Sequence, residues 1–301
     1  MILKDSTRIF DPSRNLPNGF THASCPVGLT KPNNTSWFRV FFSSRDKTNQ
    51  SHIFYADFVL EKGKVHLVEV SQNPVLSPGN KGLFDQHGVT SGSLLINGNE
   101  LWLYYLGWSL QVDVPWTNTI GLARSTDFGN TFSKTSLAPI MDRSEEDPYS
   151  MSYPWVIKEQ EEYIMYYGSN EIWGDSKYDM LHGIKRASSR DGVQWVRNQE
   201  YILRVNETYT AFSRPSVIRT NQGFDMLVSV KDVNGKYDLK RYLSQGNNSW
   251  KEISLPKAPK EEWDSEEATY PSWLVIADKT FVLHNGNGYG KTGFGIFEIM
   301  L

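Results

Sequence analysis

The feature that most constrains this chain is a short segment that recurs five times along its length. Each copy has small polar residues, then usually a proline, then apolar residues. With Pro26, Gly92, Pro154, Pro215 and Pro271 as markers, successive copies are 66, 62, 61 and 56 residues apart. Such a period indicates one structural unit that is copied along the chain and packs against its neighbours.

Each marker segment is followed by two further apolar stretches of strand length. The second stretches are residues 37–42, 101–106, 162–167, 224–230 and 280–284, and the third are residues 53–60, 119–125, 183–188, 239–243 and 294–300. No stretch has a sustained helical pattern with capping residues, so we expect few helices. The sequence therefore predicts an all-β chain that folds as a five-bladed β-propeller, in a single domain over residues 1–301.

The last copy ends at Leu301 and leaves no room for a fourth strand. A propeller has to be closed, because an open sheet edge invites pairing with other chains. We therefore expect residues Thr7–Phe10 to supply the outer strand of the fifth unit.

The charge balance excludes several classes of partner. The 301 residues carry 31 Lys+Arg and 34 Asp+Glu, so no basic excess favours nucleic acid or an anionic membrane. No run of 18 apolar residues is present, and the first residues have no apolar stretch of signal-peptide length. The single cysteine, Cys25, excludes an internal disulfide and a cysteine-based zinc site, so we expect a cytoplasmic protein.

A site is expected at one mouth of the central channel, where the loops before the innermost strands converge. Polar residues in or just before the marker segments are the candidates. They are His22, Asp85, His87, Asp147, Tyr153, Glu207, Arg214, Glu267 and Tyr270.

Each candidate also has a structural interpretation. A buried Arg214 needs a carboxylate partner, which a substrate or an internal ion pair would supply. Asp85 lies before Gly88 and is able to bond backbone amides in a turn. Asp147 and Glu267 belong to charge runs, which usually form solvated loops.

Three other residues bear on chemistry. Trp108 is the tryptophan we expect to stack on a sugar ring, although most tryptophans in such a fold are core residues. Cys25, near His22, allows a thiol–imidazole interpretation, but a lone strand cysteine is more often a small core residue. His22, His87 and His284 follow no metal-ligand spacing, so no metal and no cofactor is expected.

Several segments resemble the five-bladed propellers of glycoside hydrolase families 43, 32 and 130. They are the inner-strand pattern and residues 104–108, 120–127 and 187–195. Residues 84–90, 107–108, 115–118 and 213–215 are similar to a narrower group of family 43-like propellers, encoded with surface-polysaccharide genes. The resemblance implies a sugar or nucleotide-sugar substrate, and glycosyl hydrolysis or transfer in polysaccharide biosynthesis.

The chain departs from family 43 at the positions that matter for catalysis. That family has an acidic residue directly before the inner-strand proline in several blades. The matching positions here hold Cys25, Ser91, Tyr153, Arg214 and Tyr270, and none is acidic. Glycoside hydrolysis needs two carboxylates, so they would have to come from the loops. The loop candidates are Asp85, Asp147, Glu207 and Glu267.

The leading hypothesis is a carbohydrate-active enzyme acting on a surface-glycan sugar or an activated sugar. Asp85 and Glu267 would be its acid and base, Arg214 and His87 would hold an anionic or hydroxyl group, and Trp108 would stack on the ring. The alternative is a non-catalytic propeller that binds a glycan or a protein, which the missing carboxylates favour.

Overall fold

The computed structural model describes residues 6–31, 36–174, 179–246, 249–255 and 260–300. The strands, in chain order, are β1 (Thr7–Phe10), β2 (Thr21–Thr30), β3 (Trp37–Arg45), β4 (Ser51–Glu61), β5 (Lys64–Val70), β6 (Gly88–Asn97), β7 (Glu100–Leu110), β8 (Trp116–Ser125), β9 (Ser133–Lys134), β10 (Met151–Glu159), β11 (Glu162–Ile172), β12 (Leu181–Ser189), β13 (Val196–Arg197), β14 (Tyr209–Thr220), β15 (Gly223–Asp232), β16 (Tyr237–Ser244), β17 (Lys251–Ile253), β18 (Thr269–Ile276), β19 (Lys279–Asn285) and β20 (Phe294–Ile299). The helical segments are the four-residue α1 (Pro12–Asn15) and α2 (Asn287–Gly290) and a 3-10 turn at Glu262–Asp264. None of these helical segments is long and apolar enough to cross a membrane.

Within the described residues, the strands pair in antiparallel groups that follow the sequence repeat. The first group is β2 to β5, the second β6 to β9, the third β10 to β13 and the fourth β14 to β17. The fifth group is β18 to β20 together with β1. Each marker segment lies in the first strand of its group, as the repeat predicts.

The N-terminal strand closes the fifth group, and this prediction is confirmed. β1 pairs antiparallel with β20, with Thr7 opposite Ile296. Phe10 is buried, and its ring stacks on Phe294 with centroids 5.1 Å apart. Ser6 Oγ also lies 2.8 Å from Nε2 of the buried His284. Residues from near the two ends of the chain therefore share one sheet, and β1 supplies the outer strand of the fifth group.

Hydrogen bonds between buried side chains and the backbone link each group to the next. Such bonds are expected where polar side chains are excluded from water. In four of them a backbone N–H donates to a side-chain oxygen: Ser91 to Ser43 Oγ between the first and second groups (2.9 Å), Val156 to Ser93 Oγ between the second and third (2.9 Å), Trp273 to Ser216 Oγ between the fourth and fifth (2.9 Å), and Cys25 to Asn285 Oδ1 between the fifth and first (2.8 Å). Between the third and fourth groups, Trp155 Nε1–H donates to Val217 O at 2.8 Å. The last bond returns to the first group, so the linked groups form a closed ring.

The apolar core lies between the groups. The second strands are buried on both faces, as β3 and β15 show over most of their length. Continuous apolar sequence in these strands is therefore a consequence of packing on two sides, whereas strands exposed on one face alternate. β5, an outer strand, is exposed at most of its positions.

Candidate functional site

A bulge interrupts the pairing of every innermost strand at its marker. Register shifts occur at Ser24/Val27, Ser91/Ser93, Ser152/Trp155, Ser213/Ser216 and Thr269/Ser272. An extra residue in a strand leaves the pairing ladder and re-aims its side chain.

In four groups the bulged residue before the proline has a positive φ. The angles are 54° at Cys25, 50° at Tyr153, 55° at Arg214 and 53° at Tyr270. A non-glycine residue in this conformation costs about 1–3 kcal/mol, and such strain concentrates at functional sites. These four side chains therefore mark one level of the channel.

The structure brings Tyr153, Arg214 and Tyr270 together, as the channel hypothesis requires. The hydroxyl of Tyr153 lies 3.3 Å from that of Tyr270, and their ring centroids are 5.4 Å apart. The guanidinium of Arg214 interacts electrostatically with both phenols and with the Cys25 thiol. Residues from the first, third, fourth and fifth groups thus meet around one axis.

Among the described residues, Arg214 forms no ion pair with a carboxylate, so of the two partners considered for it the internal one is absent. Its side chain is fully buried and donates to the backbone carbonyls of Ser91, Cys25 and Pro26, while its Nε has no partner in the described structure. Carbonyl dipoles from two other groups replace the carboxylate, and burial lowers the pKa of the guanidinium. Arg214 is therefore held by the backbone of the first two groups, and its role in binding a ligand stays a prediction.

Cys25 lies beside Arg214 and is 2% exposed. Burial raises the pKa of its thiol to about 11, although Arg214 and Arg45 oppose this change. Because the thiolate is the nucleophilic form, a protonated and buried thiol argues against the thiol–imidazole interpretation.

Further tyrosines continue the cluster toward the mouth. Tyr289, in α2, lies 6.4 Å from the Tyr270 ring and 5.7 Å from the Tyr237 ring, between centroids. Glu267, just before β18, accepts a 2.6 Å hydrogen bond from the Tyr289 backbone N–H. The Glu267 carboxylate is also within electrostatic reach of Tyr237.

Glu267 is half-buried, and burial raises the pKa of its carboxyl above the usual value. Backbone N–H groups of Tyr289 and Gly288 oppose this shift. No Lys, Arg or His among the described residues forms an ion pair with Glu267. Burial therefore favours the protonated form of this carboxyl relative to a carboxyl in water, which is the direction of shift that a general acid needs.

Asp85 has a different setting. Its carboxylate is fully buried, accepts a hydrogen bond from Tyr105 (3.1 Å) and lies 2.6 Å from Lys134 Nζ. Lys134 belongs to β9, the outermost strand of the second group. These contacts hold Asp85 inside its own group, so they support its structural interpretation.

Asp147 repeats this arrangement in the third group. It is fully buried and accepts hydrogen bonds from Tyr167 (2.9 Å) and Ser169 (2.6 Å). Lys185 Nζ and Arg197 Nη1 each lie 3.3 Å from it. Asp147 is thus neutralised by two cations, and the solvated loop expected for it is wrong.

His22 lies at the mouth. It is half-buried, has a φ of 64°, and its Nδ1 is 3.0 Å from Thr21 Oγ1. Burial lowers its pKa to about 4, and the positive charges of Arg45 and Lys291 lower it further. The imidazole is therefore neutral at pH 7 and able to accept or donate a hydrogen bond.

His87 and Trp108 pack against each other where the first and second groups meet. Their ring centroids are 6.1 Å apart, His87 Nδ1 accepts from the Leu110 N–H, and Trp108 Nε1 donates to Ser51 Oγ at 2.8 Å. Glu207 is exposed in the loop before β14. Roles for these three residues in binding stay predictions.

Sequence analysis missed four residues at this mouth. Arg45 ends β3, Tyr237 begins β16, and Tyr289 and Lys291 follow β19. Arg45 could have been found from its position, because the second strand of a group ends beside the start of the first strand, as Arg45 does opposite Thr21. Within the described residues, no group of three or more His, Cys, Asp and Glu side chains is arranged for a metal ion.

Comparison with known structures defines the class of fold. A structure described as a glycoside hydrolase has a TM-score of 0.76 at 11% identity, over 99% of this chain and 92% of that one. A structure from the GH130 family of mannoside phosphorylases has a TM-score of 0.73 at 12% identity, over 99% and 94%. A thermostable family-43 glycoside hydrolase has a TM-score of 0.68 at 13% identity, over 96% and 92%. The fold is therefore a β-propeller of the kind found in glycoside hydrolases.

Two sequence comparisons add to this result. Residues 66–181 match the glycosyl hydrolases family 32 N-terminal domain. The uncharacterized proteins MT1551 and Rv1502, from two strains of Mycobacterium tuberculosis, are each 36% identical over 298 residues, which covers 96% of this chain and 96% of each protein. This chain belongs to the same family as those mycobacterial proteins.

Proposed function

We propose that this protein is a carbohydrate-active enzyme that hydrolyses or transfers a glycosyl group, with Glu267 as its general acid and base. The observation that carries the proposal is the setting of Glu267. It is a half-buried carboxyl whose pKa burial raises, it forms no ion pair among the described residues, and it lies beside a cluster of tyrosines at the channel mouth. The partial match to a glycosyl hydrolase domain and the propeller neighbours support a sugar substrate.

The tyrosines would recognise the sugar. Phenol hydroxyls accept and donate hydrogen bonds to sugar hydroxyls, and the rings offer apolar faces. Burial raises the pKa of Tyr153, Tyr237 and Tyr270, so the phenols stay protonated. A protonated phenol is able to donate as well as accept, which suits a ligand rich in hydroxyl groups.

The proposal includes five blades, one for each antiparallel group, around a channel that Arg214 closes from below. The repeat spacing and the closed ring of linking hydrogen bonds support this architecture. It also includes a cytoplasmic location, which the single cysteine supports. A surface-glycan sugar or nucleotide-sugar is the proposed substrate, and its support is the similarity of residues 84–90 and 213–215 to propellers encoded with surface-polysaccharide genes.

A second function is favoured by one specific observation. Asp85 and Asp147 pair with internal cations, and Glu207 is exposed, so Glu267 is the one of the four loop candidates that is half-buried and without an ion pair in the described residues. Hydrolysis uses two carboxylates. A catalytically silent propeller that binds a glycan would have this composition.

The test is the variant Glu267→Gln, assayed on oligosaccharides and nucleotide-sugars alongside Glu266→Gln. Glu266 is the adjacent carboxylate and is exposed, so it controls for the loss of one negative charge. We expect turnover to fall by about 10²–10⁴-fold for Glu267→Gln and to stay near wild type for the control.

Calorimetric binding of the same sugars separates the two functions. If the protein is an enzyme, Glu267→Gln should lose turnover and keep its sugar affinity within a few fold of the wild type. Wild-type turnover by Glu267→Gln would overturn the assignment of the acid. Sugar binding with no turnover by the wild-type protein on any probe would favour the silent propeller.

A further inference from the structure

The mouth of the channel carries a cationic pair that the proposed chemistry does not use. Arg45 is the last residue of β3, directly opposite Thr21 at the start of β2. Lys291 follows α2, and Tyr289 and Gly290 of α2 contact Ser24 and Ala23 of β2. The two cations therefore flank the start of one innermost strand, the strand that carries His22 and Cys25.

Short contacts hold this arrangement together on both sides. On one side, Thr21 Oγ1 donates to Arg45 O at 3.4 Å, and Ser44 Oγ donates to His22 O at 2.8 Å. On the other side, Ser24 Oγ donates to Tyr289 O. Gly290 (φ 92°) lies so close that a Cβ there would be 2.8 Å from Ala23 O. The positions of Arg45 and Lys291 are thus set by backbone contacts.

Neither cation has an acidic partner in the described part of the chain. Arg45 Nη1 donates to the neutral Asn49 side chain at 3.0 Å, and no carboxylate lies within ion-pair distance of Arg45 or Lys291. The charges of both act on His22, and that of Arg45 also acts on Cys25 and Tyr153 inside the channel. Arg214 adds a buried positive charge below.

In a chain with a net charge of −3, Arg45, Lys291 and the buried Arg214 thus bring positive charge to the first innermost strand. Glu267, which is bonded to the backbone of α2, is an acidic group at the same mouth. Unpaired positive charges attract anionic ligands, and arginine recognises carboxylate and phosphate with its planar fork. A neutral His22 between the cations supplies a hydrogen bond without adding to their repulsion.

We propose that Arg45, Lys291 and His22 bind an anionic group carried by the sugar substrate, either a carboxylate or a phosphate. This inference rests on the proposed function, because it names the class of sugar for the same channel. The anion lies at the rim, and the neutral part of the sugar reaches the tyrosines. The buried Arg214 contributes its field but no contact.

Isothermal titration calorimetry with glucuronate, glucose 6-phosphate, inorganic phosphate and glucose tests the proposal. We expect at least one charged sugar to bind tenfold or more tightly than glucose, with an affinity that falls as salt rises. The charged sugar that binds more tightly identifies the anion. Binding of inorganic phosphate as tight as that of the charged sugars would overturn a sugar-borne anion.

The variants Arg45→Gln and Lys291→Gln, with Lys47→Gln as a matched control, localise the site. Lys47 is exposed and lies two residues after Arg45, so Lys47→Gln removes one positive charge, as the other two variants do. Each of the first two variants should weaken binding of the charged sugar by tenfold or more, and the control by less than twofold. Equal losses in all three variants, or equal affinity for glucose in the wild type, would overturn the proposal.

These outcomes are separate from the test of Glu267. If Glu267→Gln abolishes turnover while Arg45→Gln and Lys291→Gln leave charged-sugar binding intact, the acid stands and the anion site fails. If charged sugars bind through Arg45 and Lys291 while Glu267→Gln keeps full turnover, the anion site stands and the acid fails.

Discussion

Asp147 and Glu267 occupy comparable places, in the loops that lead into the innermost strands of the third and fifth groups. Asp147 is fully buried, with Lys185 and Arg197 each 3.3 Å away. Glu267 is half-buried and is held by the Tyr289 backbone N–H at 2.6 Å, with no cation paired to it among the described residues. One carboxylate has its charge cancelled inside the sheet, and the other faces the channel with its charge disfavoured.

The difference shows what separates a structural carboxylate from a chemical one in a repeated fold. Cations from the third and fourth strands of a group reach back to Asp147, and Lys134 reaches Asp85 in the same way. At Glu267 the corresponding contacts come from the backbone of α2. Hydrogen bonds from amides hold the side chain in place, while burial keeps its proton affinity high.

The largest expected effect is that of Asp147→Asn. The substitution leaves Lys185 and Arg197 buried without their counterion, so we expect a loss of about 3–5 kcal/mol in the free energy of unfolding. Urea denaturation followed by tryptophan fluorescence measures it. Glu145→Gln, in the same loop but exposed, should change stability by less than about 0.5 kcal/mol. If the two variants were equally stable, Asp147 would not be the structural member of the comparison.

Lowering the pH is expected to destabilise the protein by forcing a proton onto the buried His284. His284 is 2% exposed, and burial lowers its pKa to about 4 from the usual 6.5. Because the unfolded chain binds the proton more readily, stability should fall as the pH drops from 6.5 toward 4. The linkage gives a loss of about 2 kcal/mol between pH 7 and pH 5 from this residue.

The measurement is urea denaturation at both pH values for the wild type, His284→Gln and His66→Gln. His284→Gln should have the smaller pH dependence, even if it is less stable at pH 7. His66 is exposed, so its variant should follow the wild type. An unchanged pH dependence in His284→Gln would show that other groups cause the acid loss.

The smallest expected effect sharpens the comparison most. Glu267→Gln should change the free energy of unfolding at pH 7 by less than about 1 kcal/mol. A raised carboxyl pKa means that ionisation costs stability as the pH rises through it, so a neutral amide that still accepts the backbone bond relieves that cost. Urea denaturation beside Asp147→Asn tests it. A loss as large as that of Asp147→Asn would place Glu267 among the structural carboxylates.

Much of the fold followed from the sequence. The spacing of the markers predicted the groups of strands, and the missing outer strand predicted the role of residues Thr7–Phe10. The site was only partly predictable. Tyr153, Arg214 and Tyr270 were expected together and are together, because each stands before the proline of its bulge. The sequence left open whether Arg214 would meet an internal carboxylate or a ligand, and in the described residues backbone carbonyls of other groups take the place of the internal carboxylate.

The sequence by itself determined the repeat, the strand order and the residue types that reach the axis, because these depend on local periodicity and on where the bulges fall. Tertiary structure decided which carboxylates are neutralised and which cations gather at the mouth. Lys134 meets Asp85 across 49 positions of sequence, and Lys291 comes to His22 from the opposite end of the chain. Charge interactions depend on distance in space, and ring closure sets those distances.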